Sequence, residues 1–300
     1  MYFLLQLMKI HFKYYFFTFN YFLCLKAVAQ VNLYPVHFGQ VMLSRQLLNP
    51  SLSNLEQSTN ASFGNQFYTG AFSKINNLFF VGNINLTRKD SARSVSSIGI
   101  KFQNEKEGEF VERPKYYVSY SFRTRINETY WLGLGIDLGR AGYTFKGTDV
   151  STSGSASNWD GNAGLVFHSS SFCLAGSVNQ IFNSLILPKN LYFRWKRFYS
   201  LYASKTFNLG RSDLSVYAQN KFLSDQPDIL DIGTNLTLGN IFLIGTNAWV
   251  GRSVSFLVRL KDISIYEHHF SLFMSYNMPA SSKVSANVQS FEMSLSYQLR

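Results

Sequence analysis

The chain has 300 residues, of which 46% are hydrophobic and 17% aromatic but only 15% charged, and its formal net charge is +11. Disorder is excluded by the apolar content, and two Cys and six Pro exclude a disulfide scaffold or a collagen-like repeat. A soluble domain carries about a quarter of its residues as Asp, Glu, Lys or Arg, so the shortfall suggests a surface facing something less polar than water, while a mean hydropathy of −0.05 rules out a bundle of membrane helices.

Residues 1–29 read as a secretory signal peptide. Lys9 and Lys13 precede an aromatic and apolar run from Tyr14 to Leu25, and Ala27-Val28-Ala29 puts small residues at the cleavage-determining positions before Gln30. An uncleaved anchor helix is the competing reading, but the run falls short of the roughly 20 residues that a span needs. Cleavage between Ala29 and Gln30 removes Lys9, Lys13 and Lys26 and no acid, leaving 25 basic and 17 acidic residues and a charge of +8. Cys173 then stands alone, so no internal disulfide can hold the fold.

Residues 30–58 are polar and do not alternate, and helical spacing is visible only over 39–50. Asn49-Pro50 favours a turn, so this stretch is expected to be a periplasmic or lumenal segment that plugs or docks.

From residue 59 onward the pattern is alternation. In Leu132-Gly133-Leu134-Gly135-Ile136-Asp137-Leu138 the even positions are apolar and the odd ones Gly or Asp, the signature of a strand with two unlike faces. The pattern recurs at Tyr116/Val118/Tyr120/Phe122, Phe172/Leu174/Gly176/Val178, Leu230/Ile232/Leu236/Leu238, Val254/Phe256/Val258/Leu260 and Phe291/Met293/Leu295/Tyr297/Leu299. Turn residues separate these runs, for example Asn104 to Gly108, Ser224 to Pro227 and Pro279 to Ser282. About fourteen strands fit between Ala61 and Arg300, each near the roughly 9 to 11 residues of a tilted membrane strand. A soluble β-sandwich also alternates, but its outward positions would be Lys, Glu and Thr. Here the polar parity is Gly, Ser, Asn and Gln, suited to the lining of a curved barrel. The expectation is therefore an all-β fold: a transmembrane antiparallel β-barrel of about 14 strands with a short N-terminal non-barrel segment. It divides as 1–29 signal peptide, 30–58 N-terminal segment and 59–300 outer-membrane barrel. Tyr130-Trp131, Trp159, Tyr192, Trp195 and Trp249 are expected at headgroup level.

Recognisable catalytic chemistry is absent. His37, His168, His268 and His269 form no ligand set, and His268 and His269 would point to opposite faces of a strand. There is no G-x-S-x-G elbow, and the glycines of 133–137 lie inside a strand, where they relieve curvature rather than cradle phosphate. The N-x-S/T triplets at Asn60, Asn85, Asn127 and Asn235 arise readily by chance in an Asn- and Ser-rich chain. Asp225, Asp228 and Asp231 lack calcium-loop spacing and read as a solvated hairpin connection. The basic-aromatic run Phe193 to Phe198 reads as a strand end at an anionic membrane surface rather than a nucleic-acid site. No enzyme, cofactor, metal site or nucleic-acid partner is expected.

Residues 37–54, H-F-G-Q-V-M-L-S-R-Q-L-L-N-P-S-L-S-N, resemble the opening of the mature PorP/SprF family of Bacteroidetes outer-membrane proteins, Q-F-S-Q-Y-M-F-N, a spacer, then N-P-A-Y-A-G. Phe38, Gln40, Met42, Asn49 and Pro50 match without a gap; Val41, Leu43, Ser44 and Asn54 depart, marking a divergent member. Asn158 to Phe167 with Phe172 to Phe182 is similar to the family's mid-chain strand pair, and Tyr276 to Pro279 with Ser290 to Tyr297 to its close, with Asn277 and Phe291 replacing the usual Asp and His. The resemblance implies a non-enzymatic component of the type IX secretion and gliding-motility machinery. It would help secrete or attach a specific adhesin-like cargo protein with a C-terminal sorting domain. Implied partners are periplasmic peptidoglycan-binding or ring-forming components of that machine, together with outer-membrane lipid. The five matched positions become candidates for partner docking. Two other readings stay open: an outer-membrane transport barrel for a small hydrophobic or anionic solute, and a soluble exported β-protein.

Overall fold

The computed structural model of the protein describes residues 31–33, 45–53, 55, 59–87, 93–147, 153–188, 192–239, 241–266, 268–280 and 289–299. A short strand β1 (Val31–Leu33) and a single helical turn α1 (Arg45–Leu48) precede a 3-10 turn at Pro50–Leu52. Seven strands follow: β2 (Thr59–Tyr68), β3 (Asn76–Asn85), β4 (Ser94–Glu107), β5 (Val111–Arg125), β6 (Trp131–Phe145), β7 (Gly154–His168) and β8 (Phe172–Asn179). Two short ones, β9 (Leu185–Ile186) and β10 (Phe193–Trp195), interrupt the series. It resumes with β11 (Phe198–Asn208), β12 (Ser212–Phe222), β13 (Ile229–Leu238), β14 (Phe242–Trp249), β15 (Ser253–Ile265), β16 (His268–Pro279) and β17 (Ser290–Leu299).

Strands β2–β8 and β11–β17 form one closed antiparallel barrel of fourteen strands. Closure is made by β17 against β2, paired in register from Ser290↔Tyr68 to Leu299↔Thr59. Closure leaves no strand edge unpaired in lipid, where each orphaned backbone group would cost several kcal/mol.

Parity divides the side chains as the alternation predicts. Leu134, Ile136 and Leu138 on β6 are 51%, 55% and 51% exposed, and Tyr116, Val118, Leu165, Leu201, Ile232 and Phe256 likewise face out. Soluble monomers rarely expose contiguous apolar patches beyond a few hundred Å², so a continuous belt of such residues is a lipid-facing wall. The opposite parity, with Ser97, Lys101, Ser119, Asp137, Asn162, Ser177 and Asn277 among it, is buried inside.

Some aromatic positions correct the expected headgroup belt. Tyr130, Trp159 and Tyr192 are exposed, but Trp131 and Trp195 are buried. The parity that puts Leu132 outside puts Trp131 inside, where it stacks on His168 and lies beneath the guanidinium of Arg123. Likewise Asp231 is not in a solvated connection: it is fully buried on the inner face of β13.

The two ends of the barrel differ. At the end holding Thr59 and Leu299, the terminal end, connections run from two residues after Ile265 to eight after Asn85; at the opposite loop end the longest spans residues 180–197. Strands β4 to β7 are 14 or 15 residues long, against 8 for β8 and β14. On β6 the outward positions turn polar at Arg140 and Thr144, so this wall rises past the apolar belt at the loop end.

Because β8 pairs with β7 only over Ala163–His168, the chain leaves the wall after Asn179. Ile181 N–H still donates to Gly161 O at 2.9 Å, and Ser184 Oγ donates to Trp159 O. The chain then folds into a three-stranded sheet in which β10 pairs in parallel with β1 and antiparallel with β9. This sheet lies inside the raised wall, with Ile186, Phe193 and Trp195 packed on Ala141 and Tyr143 of β6.

Leu134→Arg, in the middle of the outward belt, is expected to cost about 2–4 kcal/mol, whereas Thr144→Arg on the raised wall should be nearly silent. Urea unfolding of the two variants in lipid vesicles, followed by heat-modifiable gel migration, measures the difference.

Candidate functional site

The most constrained feature of the interior is the short stretch 45–55. Asn49 holds the extended backbone (φ −145°, ψ 112°) that the residue before a proline prefers, and Pro50 opens the 3-10 turn, where its missing N–H costs nothing. The Asn49 side-chain oxygen accepts from the Ser51 N–H at 2.9 Å and the Ser51 hydroxyl at 2.7 Å, capping the turn. Its Nδ2 donates outward to Gly176 O on β8 at 3.1 Å.

The wall is shaped to receive this turn. Gly135 on β6 and Gly164 on β7 are directly opposite cross-strand partners, and both face inward. A Cβ on Gly135 would lie 2.3 Å from the Pro50 carbonyl carbon, and one on Gly164 would lie 1.9 Å from Asn49 Oδ1. Only glycine at both positions lets the Pro50 backbone and the Asn49 side chain meet the wall so closely. Curvature relief, the sequence reading of Gly135, is thus not its main use: it makes room for the Asn-Pro turn.

Polar contacts tie the rest of the stretch to four strands. Lys101 on β4 donates to Gln46 O at 2.5 Å and lies 3.0 Å from the Asp137 carboxylate on β6, with both charged side chains at most 2% exposed. Asp137 also accepts from Ser119 Oγ at 2.6 Å and Asn162 Nδ2 at 2.9 Å, so the buried carboxylate is well satisfied. Asn83 on β3 donates to the Gln46 side chain, Ser177 on β8 to Leu48 O, and Arg123 on β5 to Leu55 O.

Apolar contacts extend the grip across the lumen. Leu47 packs on Phe79 and Val81 of β3, while Leu48 and Leu52 pack on Val166, Cys173, Ala175, Tyr202 and Tyr217. Tyr217 is on β12, seven strands from β3 in either direction around a ring of fourteen. The helical turn and the 3-10 turn after it therefore reach diametrically opposite walls from inside the lumen.

Above this stretch, toward the loop end, a second layer fills the interior. Glu105 accepts from Lys115 at 2.9 Å, with Arg113 3.7 Å away, and the Lys115 ammonium sits 4.1 Å from the centre of the Trp195 ring. Across the lumen Glu292 accepts from Gln66 at 2.9 Å and Asn277 at 3.0 Å. Glu105, Lys115, Lys221, Asp231 and Glu292 are all buried to 2% exposure or less.

Of the positions singled out in the sequence, Asn49 and Pro50 lie against the inner wall of β6 to β8, whereas Phe38, Gln40, Met42, Ala29 and Gln30 lie outside the described residues. His268 and His269 face opposite ways: His268 Nδ1 is 2.8 Å from Tyr297 OH, and His269 Nδ1 is 2.5 Å from Asp262 Oδ1. Among the described residues no group of three or more His, Cys, Asp and Glu is placed to hold a metal. Sequence reasoning missed Lys101, Asp137, Ser177 and the glycine pair. An inward Asp on one strand and an inward Lys two strands away was the available signal, but matching their heights needs the register.

Two outcomes follow from this packing. Asp137→Ala strands the Lys101 charge and is expected to cost about 3–5 kcal/mol, most of it recovered in the Lys101→Met/Asp137→Leu double variant, as measured by urea unfolding. Gly164→Val collides with Asn49 and is expected to cost about 1–3 kcal/mol and to displace the turn, read as new protease cleavage within residues 45–58.

Solved structures with the same fold include three membrane transport barrels. The Ralstonia pickettii toluene transporter TbuX aligns with a TM-score of 0.53 at 12% identity, covering 86% of this chain and 93% of that one. A Pseudomonas aeruginosa FadL homologue aligns at 0.51 and 10% identity, covering 85% and 93%. The Pseudomonas putida toluene transporter TodX aligns at 0.50 and 12% identity, covering 88% and 94%. At such identities the likeness is one of fold alone. No curated protein sequence matches the chain. A family model described as type IX secretion system membrane protein PorP/SprF matches residues 30–297.

Proposed function

Because the chain belongs to the PorP/SprF family of type IX secretion system membrane proteins, we propose that it serves that machinery as a non-enzymatic adaptor barrel in the outer membrane, binding one large adhesin-like cargo to secrete it or hold it at the surface. The observation that carries this reading is the filled lumen. With a plug braced across it and buried ion pairs above, the barrel has its free polar surface at its two ends, where proteins rather than solutes are met.

The unequal ends support an orientation. Barrels of the outer membrane keep short turns in the periplasm and longer loops outside. In this reading Thr59 and Leu299 face the periplasm, toward peptidoglycan-binding or ring-forming components of the machine. The raised wall of β4 to β7 and the 180–197 connection then face the exterior, where a cargo with a C-terminal sorting domain is held. Residues 1–29 act as the signal peptide and 30–58 as the plug, within which Asn49 and Pro50 fasten the segment to the wall. Phe38, Gln40 and Met42 belong to the same segment. A role in gliding motility follows where the cargo is a motility adhesin.

One observation favours the other reading, transport of a small hydrophobic solute: Leu48 and Leu52 of the plug meet an apolar wall of Val166, Ala175, Tyr202 and Tyr217. Deletion of the gene separates the two. The adaptor reading expects one large cargo to be lost from the cell surface while other type IX substrates are exported normally, and a reconstituted barrel that stays closed in planar bilayers. Intact display of every surface cargo, with solute uptake by the reconstituted barrel, would overturn it.

A further inference from the structure

We infer that the mature N-terminus passes through the lumen and is presented at the loop end, so that the barrel encloses its own leader-trimmed chain. Four contacts, taken in chain order, descend the interior. Strand β1 pairs with β10, Val31↔Phe193 to Leu33↔Trp195, inside the loop-end connection between β8 and β11. Trp195 lies under Lys115, four residues from the loop-end start of β5. Gln46 O meets Lys101 near the middle of β4, and Pro50 rests on Gly135 near the middle of β6. Leu55 O meets Arg123, two residues from the terminal end of β5, and β2 then begins at Thr59, opposite Leu299. Lys115 and Arg123 are on the same strand and the same face. Eight residues of strand between them span roughly 26 Å along the strand, or about 20 Å of height at a tilt near 40°, so the contacts at the two ends of the segment lie at well separated levels.

Two consequences follow from that direction. The residue that begins β1 is Val31, the second residue after the expected cleavage between Ala29 and Gln30. A leader left in place as an anchor in the inner membrane could not also put Val31 at the far end of the barrel, so trimming must precede pairing with β10. The β17–β2 seam, once zipped over ten register pairs, encloses the segment. The segment therefore enters either before β17 reaches β2 or afterwards, by threading from the terminal end.

That the loop end is the cell exterior rests on the orientation proposed above, and the test separates the two claims. In a Cys173→Ser background, single variants Asn32→Cys, Gln226→Cys at the loop end and Arg211→Cys at the terminal end are treated on intact and permeabilised cells with a membrane-impermeant maleimide. Heat-modifiable migration serves as the folding check. The double variant Asn32→Cys/Arg194→Cys, at a directly paired position, is scored for a disulfide that forms whether or not maleimide reaches position 32. The expected result is label at 32 and 226 on intact cells, loss of label at 211 until permeabilisation, and the 32–194 disulfide. Label at 32 that follows 211 rather than 226, with no disulfide, overturns the threading. Label at 211 on intact cells with 226 silent overturns the orientation instead, and threading then stands if 32 still follows 226.

Discussion

Backbone hydrogen bonding in lipid is the constraint from which the rest of this molecule follows. Fourteen strands satisfy it only by closing on themselves, and the ten-pair contact of β17 with β2 is what closes them. A closed ring of this size encloses more space than small inward side chains fill. Porin-like barrels leave that space to water. Here it is taken up by protein, and because the inner parity is polar, each filling group needs a hydrogen-bonding or ionic partner. Asp137, which accepts from Lys101, Ser119 and Asn162, meets that need in full on the inner face of β6.

The filling comes from two non-barrel pieces of chain with different logic. The 45–55 stretch is held by shape: two facing glycines, a proline turn and leucines that reach opposite walls. The 180–197 excursion is held by aromatic packing, with Trp195 between Lys115 and the inner face of β6. Strand β10 of the excursion also pairs with β1, upstream of the 45–55 stretch. The fold is shared with solved toluene transporters.

Much of this was readable in the chain. The alternation around Leu132–Leu138 fixes which side chains face lipid, and strand-plus-turn spacing gives the strand number. Asn49-Pro50 announced a turn, and the match of Phe38, Gln40, Met42, Asn49 and Pro50 to a family opening gave the class. Pairings between distant segments were illegible. Asn49 meets Gly176 across 127 residues of sequence, and nothing local in either distinguishes them. Gly135 and Gly164 are ordinary strand glycines until register sets them face to face. Trp131 and Trp195 were misplaced because aromatic residues near strand ends were read by identity, although parity already assigned Trp131 to the inner face.

The unequal strand heights give the barrel an azimuth. Beyond Leu138, strand β6 runs on for seven residues, which at a strand tilt near 40° lifts its tip roughly 15–20 Å above the apolar belt. Only β4 to β7, four of fourteen strands, rise this way, so the rim is a one-sided parapet rather than a crown. A large body settling on that end meets the tall quadrant first and is tipped toward the low one. Neighbouring membrane proteins can approach closely, above the lipid, only from the low side. The rim thus has a fixed compass direction within the plane of the membrane, which a rotationally even barrel lacks.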